Sequence, residues 1–254
     1  MKFKVLVINL DSSVDRLTSM QQQLDQLGLA FERISAVRGS LLSAAEKAKV
    51  YDLKANQAKY DKVLNDGEIG CYLSHVRSWE KILEDHLDFA LVLEDDAILT
   101  PEITGFISKL AELSQDWDYI KLSHGSKTKR IEQQLDLGDG LSLGTCLKLP
   151  STTTGQFVSA SGAKKLLASA YPIARPIDMD IQYWFEKDLR CLVTRPFPVL
   201  NGDFGSEINK TADRRQVERN RLKRLWQKLT YETGLWLSRS RMGTLPVPLK
   251  REER

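Results

Sequence analysis

The sequence predicts an α/β fold, a mostly parallel β-sheet with helices on both faces. Two observations carry this. Lys4–Leu10 is a continuous apolar run closed by a polar turn, as in a strand buried on both sides. A helical period and a second extended segment follow before Val37, which makes a βαβ opening.

The elements follow in order. "DSSVDR" supplies a helix N-cap, and Val14, Leu17, Met20, Leu24 and Leu27 recur at helical spacing until Gly28. "AFERISAV" alternates like a second strand. Residues Ser43 to Asn65 are polar and weakly helical; Asp66 then caps a stronger helix whose wide apolar face runs from Ile69 to Leu83. Phe89–Leu93 is another buried strand, Pro101 opens a helix carrying Ile103, Phe106, Ile107 and Leu110, and "WDYIKLS" is a strand after it. From Lys127 to Pro150 the pattern is weak, with Gly138, Gly140 and Gly144 marking turns. "TTGQFVSAS" reads as strand and turn, "GAKKLLASA" and "DIQYWFEKD" as short helices, and "CLVTRPFPVL" as an extended segment whose prolines suit a sheet edge.

The chain has 254 residues, 42% hydrophobic and 28% charged, enough for one large domain or for one domain with an appendage. The division predicted is a domain over 1–210 and a basic tail over 211–254. The net charge of +3 hides an asymmetry, because twelve Lys/Arg against four Asp/Glu make Arg214–Arg254 strongly basic. A mildly acidic body with a basic tail is unlike a nucleic-acid-binding domain. Three widely spaced cysteines, Cys71, Cys146 and Cys191, give neither a disulfide framework nor a zinc pattern, which suggests a reducing compartment. "MKFKVLVINLD" meets Asp11 before any cleavage site and is read as a first strand, not a signal peptide. No apolar run approaches the roughly 18 residues of a membrane span. The expectation is a cytoplasmic protein, soluble or peripheral on the inner face of the membrane.

"FALVLEDDAIL" carries the chemistry. Glu94, Asp95 and Asp96 end a buried strand, and ligands of open α/β sheets collect beyond such carboxyl ends. Adjacent like charges repel and call for a cation. On an extended chain Glu94 and Asp96 point one way and Asp95 the other, so that Glu94 and Asp96 can share a hard divalent ion, Mn²⁺ or Mg²⁺. The bland alternative is a solvated acidic turn. On the helix from Glu68, Tyr72, His75 and Trp79 share its face; Tyr72 and Trp79 read as core.

"LVLEDDA" resembles the DxD-type element of GT-A glycosyltransferases in its glycosyltransferase family 25 form, a family with lipopolysaccharide, lipooligosaccharide and collagen galactosyltransferases. "VINLDSSVDR", "GEIGCYLSHVRSW", "SGAKKLL", the following "PID" and the late P-V…S-E-I segment extend the resemblance over Lys4–Ile208. It implies a GT-A-type fold and a metal-dependent, inverting transfer of a hexose from a UDP-sugar. The donor implied is UDP-galactose, with UDP-glucose the alternative, and the acceptor a lipid-linked lipooligosaccharide sugar. No secretion signal is visible, which makes the collagen-modifying branch the less favoured.

The resemblance further implies that Glu94 and Asp96 hold the ion, with Asp95 near the ribose or an alternative ligand. Asn9, Leu10 and Arg16 would line the uridine pocket, His75 and Glu68 would face donor or acceptor, and Ser206 with Asp203 would close over the diphosphate. Inversion needs a general base; Asp178 is preferred, with Asp180 and Glu68 behind it. Phe157 stands where the family often has Tyr, in a stretch read as nearer the acceptor.

Leu222, Leu225, Trp226 and Leu229 lie at i, i+3, i+4 and i+7 among arginines and lysines. That is the pattern of a helix that binds an anionic membrane surface, or of one packed on its own domain. Two other classes remain: a phospho-acceptor signalling domain with a Mg²⁺ pocket, and a non-catalytic nucleotide or carbohydrate binder.

Overall fold

The computed structural model describes residues 1–114, 116–125, 129–202 and 221–247. The chain opens as expected: β1 (Phe3–Asn9), α1 (Val14–Gln26) and β2 (Phe31–Ser35) form a parallel βαβ unit. The weakly helical stretch resolves into two short helices, α2 (Ala44–Val50) and α3 (Leu53–Lys59). Helix α4 (Asp66–Glu84) is capped by Asn65, one residue earlier than the sequence suggests. The Asn65 side chain accepts from Glu68 N while Glu68 reaches back to Asn65 N, a reciprocal capping box.

β3 (Phe89–Glu94) ends in a turn at Asp95–Asp96, followed by the short β4 (Ala97–Leu99) and α5 (Glu102–Leu110). β5 (Tyr119–Lys121) precedes a hairpin of β6 (Gln133–Gly138) and β7 (Leu141–Thr145), which the weak sequence pattern concealed. Gly138 and Gly140, at φ +79 and +75, make its tight turn, a conformation that needs no Cβ. β8 (Gly155–Ser159) runs into α6 (Ala160–Ala168); α7 (Ile177–Gln182) begins ahead of the stretch the sequence marks and stops at Tyr183. Then come β9 (Cys191–Arg195), β10 (Val199–Asn201) and α8 (Arg221–Leu237).

The main sheet has the order β2-β1-β3-β8-β5-β9-β7-β6, with β8 and β7 running against the other six. It is therefore mostly parallel in strand direction. β9 is not an edge strand. It lies between β5 and β7, and the prolines that suggested an edge follow its last residue. β4 and β10 form a separate two-stranded ladder.

Helices cover both faces. On one, α1 and α5 bury Met20, Leu24, Ile103 and Phe106 against Val5, Leu91 and Phe157. On the other, α4, α6 and α7 bury Tyr72, Trp79, Leu166 and Ile181 against Leu6, Val92 and Val158. The same core takes Tyr231 and Leu235 of α8, so one face of that helix is docked on the domain. The proposed boundary at 210/211 lies outside the described residues. All three cysteines are free thiols.

Candidate active site

The strands that share a direction end on one side, where β1 delivers Asn9, β3 delivers Glu94, and the segment entering β8 brings Thr153 and Thr154. Two adjoining hollows open there. The larger, about 720 Å³, is lined by Leu10, Arg16, Ala36–Ser40, the start of α4, His75 and the three acidic residues. The smaller, about 330 Å³, is lined by Tyr60, Lys62, Glu68, Thr152–Thr154 and Pro176–Met179. Cys71 and Glu94 border both, so Glu94 stands on the divide.

One wall of the larger hollow exists because two glycines let backbone meet backbone. A Cβ on Gly39 would lie 1.8 Å from Asp66 O, and one on Gly70 would lie 2.4 Å from Val37 O. Ser74 locks the approach by accepting from Val37 N at 2.8 Å and donating to Gly70 O at 2.7 Å. This explains the second glycine of "GEIGCYLSH", Gly70.

The acidic triplet separates into three environments. Glu94 Oε1 accepts from Thr153 Oγ1 at 2.6 Å and from His75 Nε2 at 3.0 Å. Behind it, Gln156 Nε2 donates to His75 Nδ1 at 3.2 Å, and Tyr119 donates to Gln156 Oε1 at 2.8 Å. In this arrangement His75 carries its proton on Nε2, aimed at Glu94; the opposite orientation of the Gln156 amide places it on Nδ1. Burial works against the Glu94 charge, but the bonds from His75 and Thr153 hold its carboxyl below the ordinary value.

Asp95 turns the other way and accepts from Asn9 Nδ2 at 2.7 Å and Arg16 at 3.3 Å, so both its oxygens are engaged. Burial nonetheless leaves its carboxyl above the usual range. Asp96 Oδ1 is buried without a hydrogen-bond partner. Burial and the charges of Glu94 and Asp95 push its carboxyl up to about 6. An orphaned carboxylate oxygen beside a second carboxylate is a donor set suited to a hard divalent ion. The separation of Asp95 from Glu94 matches the sequence expectation, although Asp95 and Asp96 sit in a turn and not on an extended strand.

Several expectations change. Asn9 is 2% exposed, its amide donates to Asp95 and Ser13 O, and its carbonyl oxygen accepts from Arg33; it positions Asp95 and does not line the cleft. Leu10, Arg16 and His75 do line it. Asp180 is removed from the candidate bases. Its Oδ2 takes Lys187 at 2.7 Å and Tyr72 OH at 2.8 Å, Arg175 lies 3.4 Å from Oδ1, and it borders neither hollow. Asp178 lines the smaller hollow and accepts from Met179 N at 2.8 Å. Glu68 lines it too, with one oxygen held by the capping box. Phe157 is no acceptor-side residue: it is fully buried under the sheet, edge-on to Phe89 at 5.9 Å. Asp203 and Ser206 lie outside the described residues.

The structure adds groups that no spacing revealed. Thr153 and Gln156 belong to the Glu94 network. Lys121 is fully buried and its Nζ has no hydrogen-bond partner; burial lowers it to about 8, with Asp178 and Glu94 the carboxylates facing it. A lysine between Ile120 and Leu122 in the strand segment "WDYIKLS" was the one available signal.

Helix α8 carries opposite surfaces. Tyr231 stacks near Tyr183 at 4.8 Å, and Gly234 sits against Phe185, whereas Leu225, Trp226, Leu229, Trp236 and Leu237 are each more than half exposed. No helix among the described residues is long and apolar enough to cross a membrane.

Residues 2–139 match the family model described as Glycosyltransferase family 25 (LPS biosynthesis protein). Among curated proteins, procollagen galactosyltransferase 1-B of Xenopus laevis is 26% identical over 94% of this chain and 41% of its own length. The inactive glycosyltransferase 25 family member 3 of Homo sapiens is 31% identical over 70% of this chain and 30% of its own. The chain thus spans less than half the length of these relatives. A crystal structure of a glycosyltransferase involved in the glycosylation of the major capsid of PBCV-1 aligns with 83% of this chain and 96% of its own, at 12% identity and a TM-score of 0.44.

Proposed function

Because the chain belongs to glycosyltransferase family 25, we propose that it is an inverting, metal-dependent hexosyltransferase that moves galactose from UDP-galactose to a sugar hydroxyl of a lipid-linked oligosaccharide. The observation that carries this reading is the divided cleft. Glu94 separates a hollow of nucleotide-sugar size from a smaller one bordered by Asp178. The donor fits the larger hollow, with Leu10 and Arg16 on its uridine side and the diphosphate toward Glu94 and Asp96. These two carboxylates would hold Mn²⁺ or Mg²⁺, which supplies Lewis-acid stabilisation of the departing diphosphate. The acceptor approaches through the smaller hollow. Its hydroxyl oxygen bonds to the anomeric carbon, the bond from that carbon to the diphosphate breaks, and UDP leaves with the electron pair. Asp178 takes the hydroxyl proton. Galactose as the sugar is supported by the name of the Xenopus relative.

A lipid-linked acceptor is supported by α8, which docks on the domain by Tyr231 and Leu235. It turns Trp226, Trp236 and Leu229 outward beside Lys228 and Arg224. Such a face suits the boundary of an anionic bilayer. The collagen-modifying reading rests on the relatives' names, and a non-catalytic reading on the inactive human member.

The test is UDP release from a panel of UDP-sugars, with Mn²⁺ or with chelator, and with or without a truncated lipooligosaccharide. Metal-dependent release from UDP-galactose that rises with the glycan is expected. Release that rises only with a procollagen peptide would move the acceptor. UDP binding with no release under any condition would leave a binding protein.

A further inference from the structure

We propose that Cys71, His75 and Glu94 form a binding site for a thiophilic divalent cation such as Zn²⁺, separate in donor chemistry from the Glu94–Asp96 pair but sharing Glu94 with it. Cys71 and His75 stand four residues apart on α4, one above the other on the side turned to the cleft. Glu94 meets them from the end of β3. One potential ligand atom from each, a sulfur, a ring nitrogen and a carboxylate oxygen, lies within 4.8 Å of the other two. A sulfur, an imidazole and a carboxylate with a fourth position open to the cleft match the donors and coordination that Zn²⁺ takes. Thiolate and imidazole favour it over Mn²⁺ or Mg²⁺.

The groups behind these ligands fit as well. Thr153 orients Glu94, and Gln156, backed by Tyr119, orients the far nitrogen of His75. With a cation on Nε2 the ring carries its proton on Nδ1. Gln156 then presents its oxygen and the Tyr119 hydroxyl accepts from its amide, a reversal both groups allow. Glu68, Asp96 and Asp178 add negative charge around Cys71, which favours a bound cation. Glu94 serves one ion at a time, so an ion held by Cys71 and His75 displaces the hard one and stops transfer. That consequence rests on the proposed function; the site itself does not.

The experiment is a cobalt titration of the full chain stripped of metal, read by absorbance and independent of transfer activity. One equivalent of Co²⁺ should give a thiolate-to-cobalt charge-transfer band in the near ultraviolet. Asp96→Asn should keep the band, Cys71→Ser should remove it, and Gln156→Ala should weaken binding about 10- to 100-fold. Circular dichroism melts establish that each variant is folded, and His75→Gln serves as a second ligand deletion. Absence of the band in the wild-type chain, its survival in Cys71→Ser, or an unchanged cobalt affinity in His75→Gln overturns the site. Zn²⁺ should also release bound Mn²⁺ in an electron paramagnetic resonance titration. Retention of Mn²⁺ with the cobalt band intact would refute the sharing of Glu94.

Discussion

Replacing Lys121 by Met should make the protein more stable and less active. Lys121 is fully buried, its Nζ makes no hydrogen bond, and the Tyr119 ring centre lies 5.7 Å from it. Burial lowers its pKa from 10.5 to about 8, even with the opposing pull of Asp178 and Glu94. At about 1.36 kcal/mol per pKa unit, the native state disfavours the ammonium by about 3 kcal/mol relative to the unfolded chain. The sign follows from the protons bound. Below pH 8 both states are protonated and the full cost is present. Between about pH 8 and 10.5 the unfolded chain keeps a proton the native chain has lost, so wild-type stability rises with pH.

Methionine is similar in length and leaves no charge to solvate. At pH 7 the variant should therefore gain about 3 kcal/mol in urea titrations, or roughly 6–12 °C in melting temperature for a chain of this size. The gain should shrink as pH approaches 10.5. Transfer should fall, because the cation facing Glu94 and Asp178 is gone. A variant no more stable than wild type at pH 7 would refute the argument, since it would mean that the ammonium is solvated or paired.

Other outcomes test the remaining groups. Asp96→Asn should abolish metal-stimulated transfer; in the wild-type chain, apparent Mn²⁺ affinity should fall below about pH 6, where the proton competes for Asp96, as read by isothermal titration. Asp178→Asn should bind UDP-galactose normally and lose transfer; unchanged turnover would move the base elsewhere. Asp118 is buried under Arg190, Lys165 and Ser161, whose hydrogen bonds outweigh burial and hold its carboxyl well below the usual range. Asp118→Asn should cost about 3 kcal/mol at pH 7. Its contribution is present above the unfolded value of 3.8 and lost as pH falls through the lower native one, so the loss should narrow in acid. Trp226→Ala with Trp236→Ala should weaken binding to phosphatidylserine vesicles in a flotation assay while leaving the melting temperature within about 1 °C, as expected of exposed positions.

Periodicity made the βαβ opening, the α4 and α5 faces and the Phe89–Leu93 strand legible, because a buried strand and an amphipathic helix write their environment into local composition. The β6–β7 hairpin stayed hidden because β6 is largely exposed and only β7 reads apolar. The acidic triplet was equally legible as a cluster. Which of its members were committed was not, since Asp95 is claimed by Asn9 and Arg16 from 86 and 79 residues away.

Asp178 and Asp180 illustrate the division sharply. Two residues apart in sequence, they look interchangeable as bases. About half a turn of helix separates them and points Asp178 into the cleft and Asp180 into Arg175, Lys187 and Tyr72. The fold class, the family and the strand end at which the carboxylates gather could be read from the residues alone, because these depend on patterns a few residues long. Which carboxylates border the cleft, that a buried lysine faces them, and that Cys71, His75 and Glu94 converge were legible only in the folded chain. Burial and pairing depend on what the rest of the chain brings to each side chain, and contacts between residues far apart in sequence leave no local pattern to read.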